Sequence, residues 1–147
     1  MIDPALENEV RQDIEGLHDF FVGWFNGDLP ESAYATEFEA RLDPAFTIIM
    51  PSGAELDFTN LSRAMKESFG QKPGFRIEIR NVRLVHVTET TIVATYEEWQ
   101  RNSREESARG SGRLSTVVFD RRGSLKWRHV HETWLPESVV AAGAFTF

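Results

Sequence analysis

An α+β fold is predicted for this chain, with N-terminal helices laid over one strongly curved antiparallel sheet. Three observations predict it. Apolar residues in the first half recur at helical spacing. The second half consists of Val- and Ile-rich runs that follow one another at hairpin spacing. No helical run separates those strands, as parallel crossovers would require.

Leu6, Val10, Ile14, Leu17, Phe21 and Trp24 form one apolar stripe on a first helix. Asp3 suits its cap, Pro4 its first turn and Asn26-Gly27 its end. Tyr34, Phe38 and Leu42, four residues apart, predict a second helix that Asp43-Pro44 stops. Phe46 to Met50 reads as a short strand and Pro51-Ser52-Gly53 as its turn. Asn60 or Thr59 then caps a third helix bearing Leu61, Met65 and Phe69, ended by Gly70. Strands follow over Phe75 to Thr88, with a bend or bulge near Asn81, and over Thr91 to Arg101, Arg113 to Asp120 and Leu125 to Leu135. The polar connection from Asn102 to Gly112 reads as an exposed loop. The tail from Ser138 to Phe147 is apolar enough to be disordered, to cover a pocket or to pack on a neighbouring subunit.

The 147 residues fit one domain, 1–147, with room for a core. A net charge of -7 repels phosphate backbones, and Glu105 and Glu106 interrupt the basic residues from Arg101 to Arg113, so no nucleic-acid partner is expected. With no cysteine, disulfides, thiolate catalysis and zinc–sulfur sites are excluded. No run approaches a membrane span, and Met1 to Val10 lacks a basic-then-apolar leader, so the expected location is cytoplasmic. No phosphate loop, nucleotide fingerprint or nucleophile motif is present, and no cofactor is expected.

After a glycine turn comes Trp127-Arg128-His129-Val130-His131-Glu132-Thr133-Trp134-Leu135-Pro136. This run resembles the last strand of nuclear transport factor 2-like domains, especially SnoaL-like small proteins and the association domain of calcium/calmodulin-dependent protein kinase II. Ala94 to Gln100 resembles the preceding hairpin arm. The resemblance implies a conical, cystatin-like roll, in which the sheet wraps the first helix and leaves a pocket at the wide end. It also implies a homodimer through the outer sheet face. Ile92, Ala94, Tyr96, Leu114, Thr116, Val118 and Trp127, if outward, would give that face apolar surface to bury.

Side chains alternate along a strand, which groups Arg128, Val130, Glu132 and Trp134 against Trp127, His129, His131 and Thr133. Periodicity leaves open which group faces the cone. By the resemblance, Arg128, Val130, Glu132 and Trp134 look inward. The same register implies Val117 and Phe119 inward, with Ser115 and Arg113 toward the strand's start, and then Thr95, Glu97 and Trp99. Glu132 and Glu97 are the first candidates for proton transfer, since apolar surroundings and a second carboxylate raise a carboxyl pKa. The bland alternative is pairing with Arg128 or Arg113. If the faces are reversed, His129, His131, Tyr96 and Glu98 take their place. His129 and His131 form a His-x-His pair without a third ligand in sequence, and no metal is expected. Trp24 and Phe20 either pack in the core or close the pocket against Trp99 and Trp134.

The first functional expectation is a small-molecule-binding domain with a mainly apolar conical pocket. The alternatives are a cofactor-independent isomerase, cyclase or dehydratase, or a dimerisation module without catalysis.

Overall fold

The computed structural model of the chain describes residues 2–102 and 110–147. Helix α1 spans Pro4–Phe25. The Asp3 side chain caps it by accepting from the Ala5 N–H at 3.0 Å. Gly27, at φ +76°, takes the left-handed turn that ends it. Asn26 fastens this end: its amide donates to the Val22 and Phe75 carbonyls at 2.8 and 2.9 Å and accepts from the Gly74 N–H at 2.8 Å.

The second helix departs from expectation. A π-helical turn, Tyr34–Phe38, passes into a 3-10 turn, Glu39–Arg41, and Leu42 already opens strand β1, Leu42–Ile49. Tyr34 and Phe38 are buried, so the four-residue spacing marks real interior positions on a shorter element. Pro44 sits inside β1, in the stretch between Leu42 and Thr47 where its pairing is interrupted and no ladder N–H is needed. A short strand β2, Glu55–Asp57, precedes helix α2, Phe58–Glu67. The α2 cap is Asp57, not Thr59 or Asn60; its carboxylate accepts from the Asn60 N–H at 2.9 Å.

Strands β3 (Arg76–Val87), β4 (Thr91–Arg101), β5 (Ser111–Asp120) and β6 (Lys126–Trp134) complete the sheet. Asn81, at φ +55°, breaks the β3–β4 register and bends β3. Most of the connection from Asn102 to Gly112 lies outside the described residues.

The sheet order is β2-β1-β6-β5-β4-β3. It is mixed rather than wholly antiparallel, because β1 runs parallel to β6. Its concave face wraps α1, whose Val10, Ile14, Leu17, Phe20 and Trp24 are buried in the core. Polar contacts also tie helix to sheet: Asp13 accepts from the Trp127 indole N–H at 2.8 Å, and it accepts from Arg41 at 3.0 Å.

A short helix α3, Glu137–Ala142, follows the last strand. The tail beyond it packs against the protein's own sheet. Arg80 donates to the Ala144 carbonyl and stacks on Trp99, and Phe145 packs edge-on against the same indole. Gly143 lies so close to that ring that no side chain fits there. Among the described residues no helix is long and apolar enough to cross a membrane.

Candidate functional site

The cone leaves a cavity of about 290 Å³ between α1, α2 and the sheet. Most of its wall is apolar: Leu17, Phe21 and Phe25 from α1, Phe46 and Ile48 from β1, Leu61 and Met65 from α2, Phe75 and Ile77 at the start of β3. One side is different. His18, Tyr96, Glu98, Gln100, Arg113 and Glu132 converge there from α1, β4, β5 and β6. All six are buried.

These side chains form a continuous network. His18 Nδ1 lies 2.7 Å from the Ile14 carbonyl, which can only accept, so that nitrogen carries hydrogen. Its Nε2 lies 3.0 Å from Glu98 Oε1. The other Glu98 oxygen accepts from the Gln100 amide. Arg113 donates to Glu132 Oε1 at 3.2 Å and, more loosely, to Gln100 Oε1 at 3.5 Å. Ser115 Oγ donates to Glu132 Oε2 at 3.3 Å. The two Glu98 partners therefore match an ionised carboxylate beside an imidazolium.

Two carboxyls in one network are driven apart. Burial opposes ionisation of Glu98, but the charge and hydrogen bond of His18, with Arg113 and Gln100, outweigh it and hold the group near 2. Burial and the Glu98 charge push Glu132 up to about 7, against the pull of Arg113 and His18. Burial alone would lower His18, yet Glu98 keeps it above its ordinary value. Burial and the two carboxylates keep the Tyr96 hydroxyl protonated far above neutrality. Carboxyls separated in this way are the pattern of an acid–base site as well as of a binding site.

On β6, Val130 and Glu132 line the cavity. Trp127 lines it too, because Arg128 is an extra residue: Phe119 pairs with Trp127 while Val118 pairs with His129. Arg128 is a correction; it is exposed and donates to the Ala45 carbonyl at 2.6 Å. Trp134 is 42% exposed, outside the cavity lining, with its ring over the Arg113 guanidinium at 4.9 Å. Val117 and Phe119 are fully buried in the core behind the cavity. His129 lies on the outer side, bonded to Thr47 Oγ1 at 2.7 Å, and His131 is exposed.

The β4 assignment is reversed. Tyr96, Glu98 and Gln100 face the cavity. Glu97 accepts from Asn81 at 2.7 Å and from the Trp99 indole at 2.8 Å, and Trp99 lies beneath the tail. The pairings Glu98 with Arg113 and Tyr96 with Ser115 put residues of like orientation opposite one another. A one-residue slip therefore flips every side chain of the strand. Trp24 is also corrected: its indole donates to the Met65 carbonyl at 2.7 Å and it packs against Phe20 and Phe69. The apolar argument for a dimer loses Ile92, Ala94, Tyr96 and Trp127, all buried inside. Among the described residues no group of three or more His, Cys, Asp or Glu side chains is gathered as a metal centre needs.

The family model described as sucrose-6-phosphate phosphohydrolase C-terminal matches residues 17–136, and the chain belongs to that family. A sucrose-phosphatase of Nicotiana tabacum is 25% identical over 99% of this chain but only 35% of its own length, so the chain spans about a third of that relative. A crystal structure of a nuclear transport factor 2-like protein of unknown function from Pseudomonas aeruginosa is 32% identical, covers 90% of this chain and 99% of its own, and has a TM-score of 0.72. The kinase II hub homology domain of a Chlamydomonas alga, 14% identical over 91% of this chain and 100% of its own, matches in fold with a TM-score of 0.59. The fold is that of the nuclear transport factor 2-like, cystatin-like group.

Proposed function

We propose that this member of the sucrose-6-phosphate phosphohydrolase C-terminal family is a small-molecule-binding domain whose ligand occupies the cone. One observation carries the reading: a mainly apolar cavity of about 290 Å³ with buried, mutually bonded polar groups gathered on one side. Such a wall orients a ligand by a few polar contacts while the remaining surface supplies burial. Sucrose phosphatase activity is a property named for relatives of which this chain spans about a third.

Titration with the neutral fluorophore N-phenyl-1-naphthylamine tests the proposal. Saturable binding in the wild type, lost in Ile48→Trp, is the expected result, because Ile48 is a half-buried wall position that an indole would fill. Sucrose and sucrose 6-phosphate belong in the competition panel because the family name carries them. Equal fluorophore binding by both proteins overturns the reading.

A second reading, proton transfer to or from a bound substrate, is favoured by Glu132 titrating at about 7 inside the cavity. 5-Nitrobenzisoxazole probes it: a carboxylate removes the ring C–H proton, the N–O bond breaks and a cyanophenolate leaves. Turnover should rise with pH through about 7 and vanish in Glu132→Gln.

Self-association through the outer sheet face is proposed on narrower ground. Leu114, 41% exposed, and the half-buried Val93 and Val118 are among its apolar side chains. Sedimentation equilibrium of wild type against Leu114→Glu decides it.

A further inference from the structure

We propose a second ligand site, outside the cone, that takes a small quaternary ammonium cation. It is an open cleft of about 590 Å³ between the end of α1, the π-helical turn and the end of α2. Trp24, Tyr34 and Phe69 wall it, and Glu31, Glu39 and Lys66 bring charges beside the rings. It shares no lining residue with the cone.

The first ground is what the walls offer. The Trp24 ring lies 5.4 Å from the Tyr34 ring and 4.7 Å from that of Phe69, centre to centre. Both polar handles are turned into backbone. The Trp24 indole N–H donates to the Met65 carbonyl, and the Tyr34 hydroxyl to the Ser62 carbonyl, each at 2.7 Å. The two rings therefore present π-surface to the cleft, and a π-face attracts cations.

The second ground is charge. Two carboxylates stand against one ammonium in the cleft, in a chain whose net charge is -7. Ser62 fixes a carboxylate and a ring together: its hydroxyl donates to Glu39 Oε2 at 3.1 Å while its carbonyl holds Tyr34. An anionic ligand would meet both glutamates, whereas a cation is attracted by the rings and the carboxylates alike.

The third ground is that the chain already places a cation there. The Lys66 ammonium lies over the Tyr34 ring, 5.1 Å from its centroid. Trp24 and Tyr34 are buried and bonded, but Lys66 is exposed, and its ammonium rides on a flexible four-carbon stem. A ligand cation takes the ring face, and the lysine swings out to water. The same surface selects the kind of cation. A primary ammonium gives up hydrogen bonds to water on a ring face; a quaternary one has no N–H to satisfy, and its methyl groups pack on the rings.

Choline, compared with its neutral isostere 3,3-dimethylbutan-1-ol, is the probe. Proton–nitrogen correlation NMR follows the Trp24 indole N–H and the backbone amides of Glu31, Tyr34, Glu39, Lys66 and Phe69 during titration. Choline should shift these signals saturably and bind about tenfold tighter than the alcohol. Lys66→Met keeps the stem and removes the competing charge, so it should tighten choline about threefold. Phe69→Ala should weaken it by about the same factor. Lys66 and Phe69 are exposed, and the comparison of the two compounds needs only wild-type protein. Equal affinity for the two compounds, no saturable shift, or choline shifts confined to residues of the cone overturn the proposal. So does a Lys66→Met variant that binds choline no tighter than wild type.

Discussion

Replacing Glu132 with Gln should stabilise the protein in alkali and change it little in acid. The unfolded carboxyl titrates at its ordinary 4.5, whereas the folded one holds its proton to about 7. Between those values the folded state binds the extra proton, so stability falls as pH rises through the window, and the whole cost stands above pH 7. At about 1.4 kcal/mol per pH unit, the window corresponds to about 3 kcal/mol. Glutamine mimics the protonated acid in shape and charge, and its amide oxygen still accepts from Arg113. Some of the gain is lost because a neutral acceptor serves the guanidinium less well than a charged one. A net gain of about 2 kcal/mol at about pH 8.5 follows, equivalent to roughly 4–8 °C in melting temperature for a chain of this size. At about pH 5 the two proteins should agree within about 1 kcal/mol. His18 is also held above its ordinary value, and the stability it contributes is lost as pH rises through its folded value. Glu132 is the smallest of the influences that raise His18, so most of that loss is common to both proteins. Urea denaturation at the two pH values is the assay. A variant less stable than wild type by the same margin at both would refute the reasoning, because Glu132 would then be an ordinary ionised partner of Arg113.

His18→Phe leaves the Glu98 charge buried with only Gln100 and Arg113 for company, and should cost about 3 kcal/mol in urea denaturation near neutrality. Glu98→Gln removes the charge that repels a Glu132 carboxylate, so the Glu132 carboxyl signal followed by NMR should titrate at a lower pH than in wild type. Asn81→Val forces a β-branched residue to φ +55° and removes the bond to Glu97, for about 2 kcal/mol of destabilisation, whereas Asn81→Gly stays within about 1 kcal/mol of wild type by thermal denaturation. Gly143→Val cannot fit against Trp99 and should lift the tail, read as increased acrylamide quenching of the indole fluorescence.

Much of the fold was legible because its signals are local. The stripe from Leu6 to Trp24, the Asp3 cap and the Gly27 stop each depend on neighbours in sequence, and α1 runs over Pro4–Phe25. The β3 bend at Asn81 was legible for the same reason, since asparagine tolerates the left-handed region better than most residues. What was not legible is set by distant chain. Leu42 continues a helical spacing from Tyr34 and Phe38, yet it pairs with Trp127 and belongs to β1. The parallel β1–β6 pair joins strands more than half the chain apart, and no local pattern announces it.

The site divides along the same line. On β5 and β6 the implied orientation places Val130, Glu132, Ser115 and Arg113 on the concave side. On β4 it does not, although the strand carried its own evidence. Ile92, Ala94 and Tyr96 alternate with Val93, Thr95 and Glu97, and the face with the aromatic ring and the methyl side chain is the one that packs against α1. Carrying the register across from β6 and β5 instead put Thr95, Glu97 and Trp99 inward and left Glu98 outside the cone. Glu98 then lost its partner as well, His18, which lies among the apolar positions of α1. A histidine at a core position of a helix needs a buried acceptor for each ring N–H, and Ile14 supplies only one of them, from the preceding turn. The second must come from the sheet that the helix covers. Of the acidic side chains on β4, only the one following Tyr96 by two residues shares the concave face, and it lies 3.0 Å from the ring. Satisfying the helix's one buried imidazole therefore fixes the β4 register, and fixing β4 brings Glu98 beside Glu132 and sets the charge balance of the whole cavity.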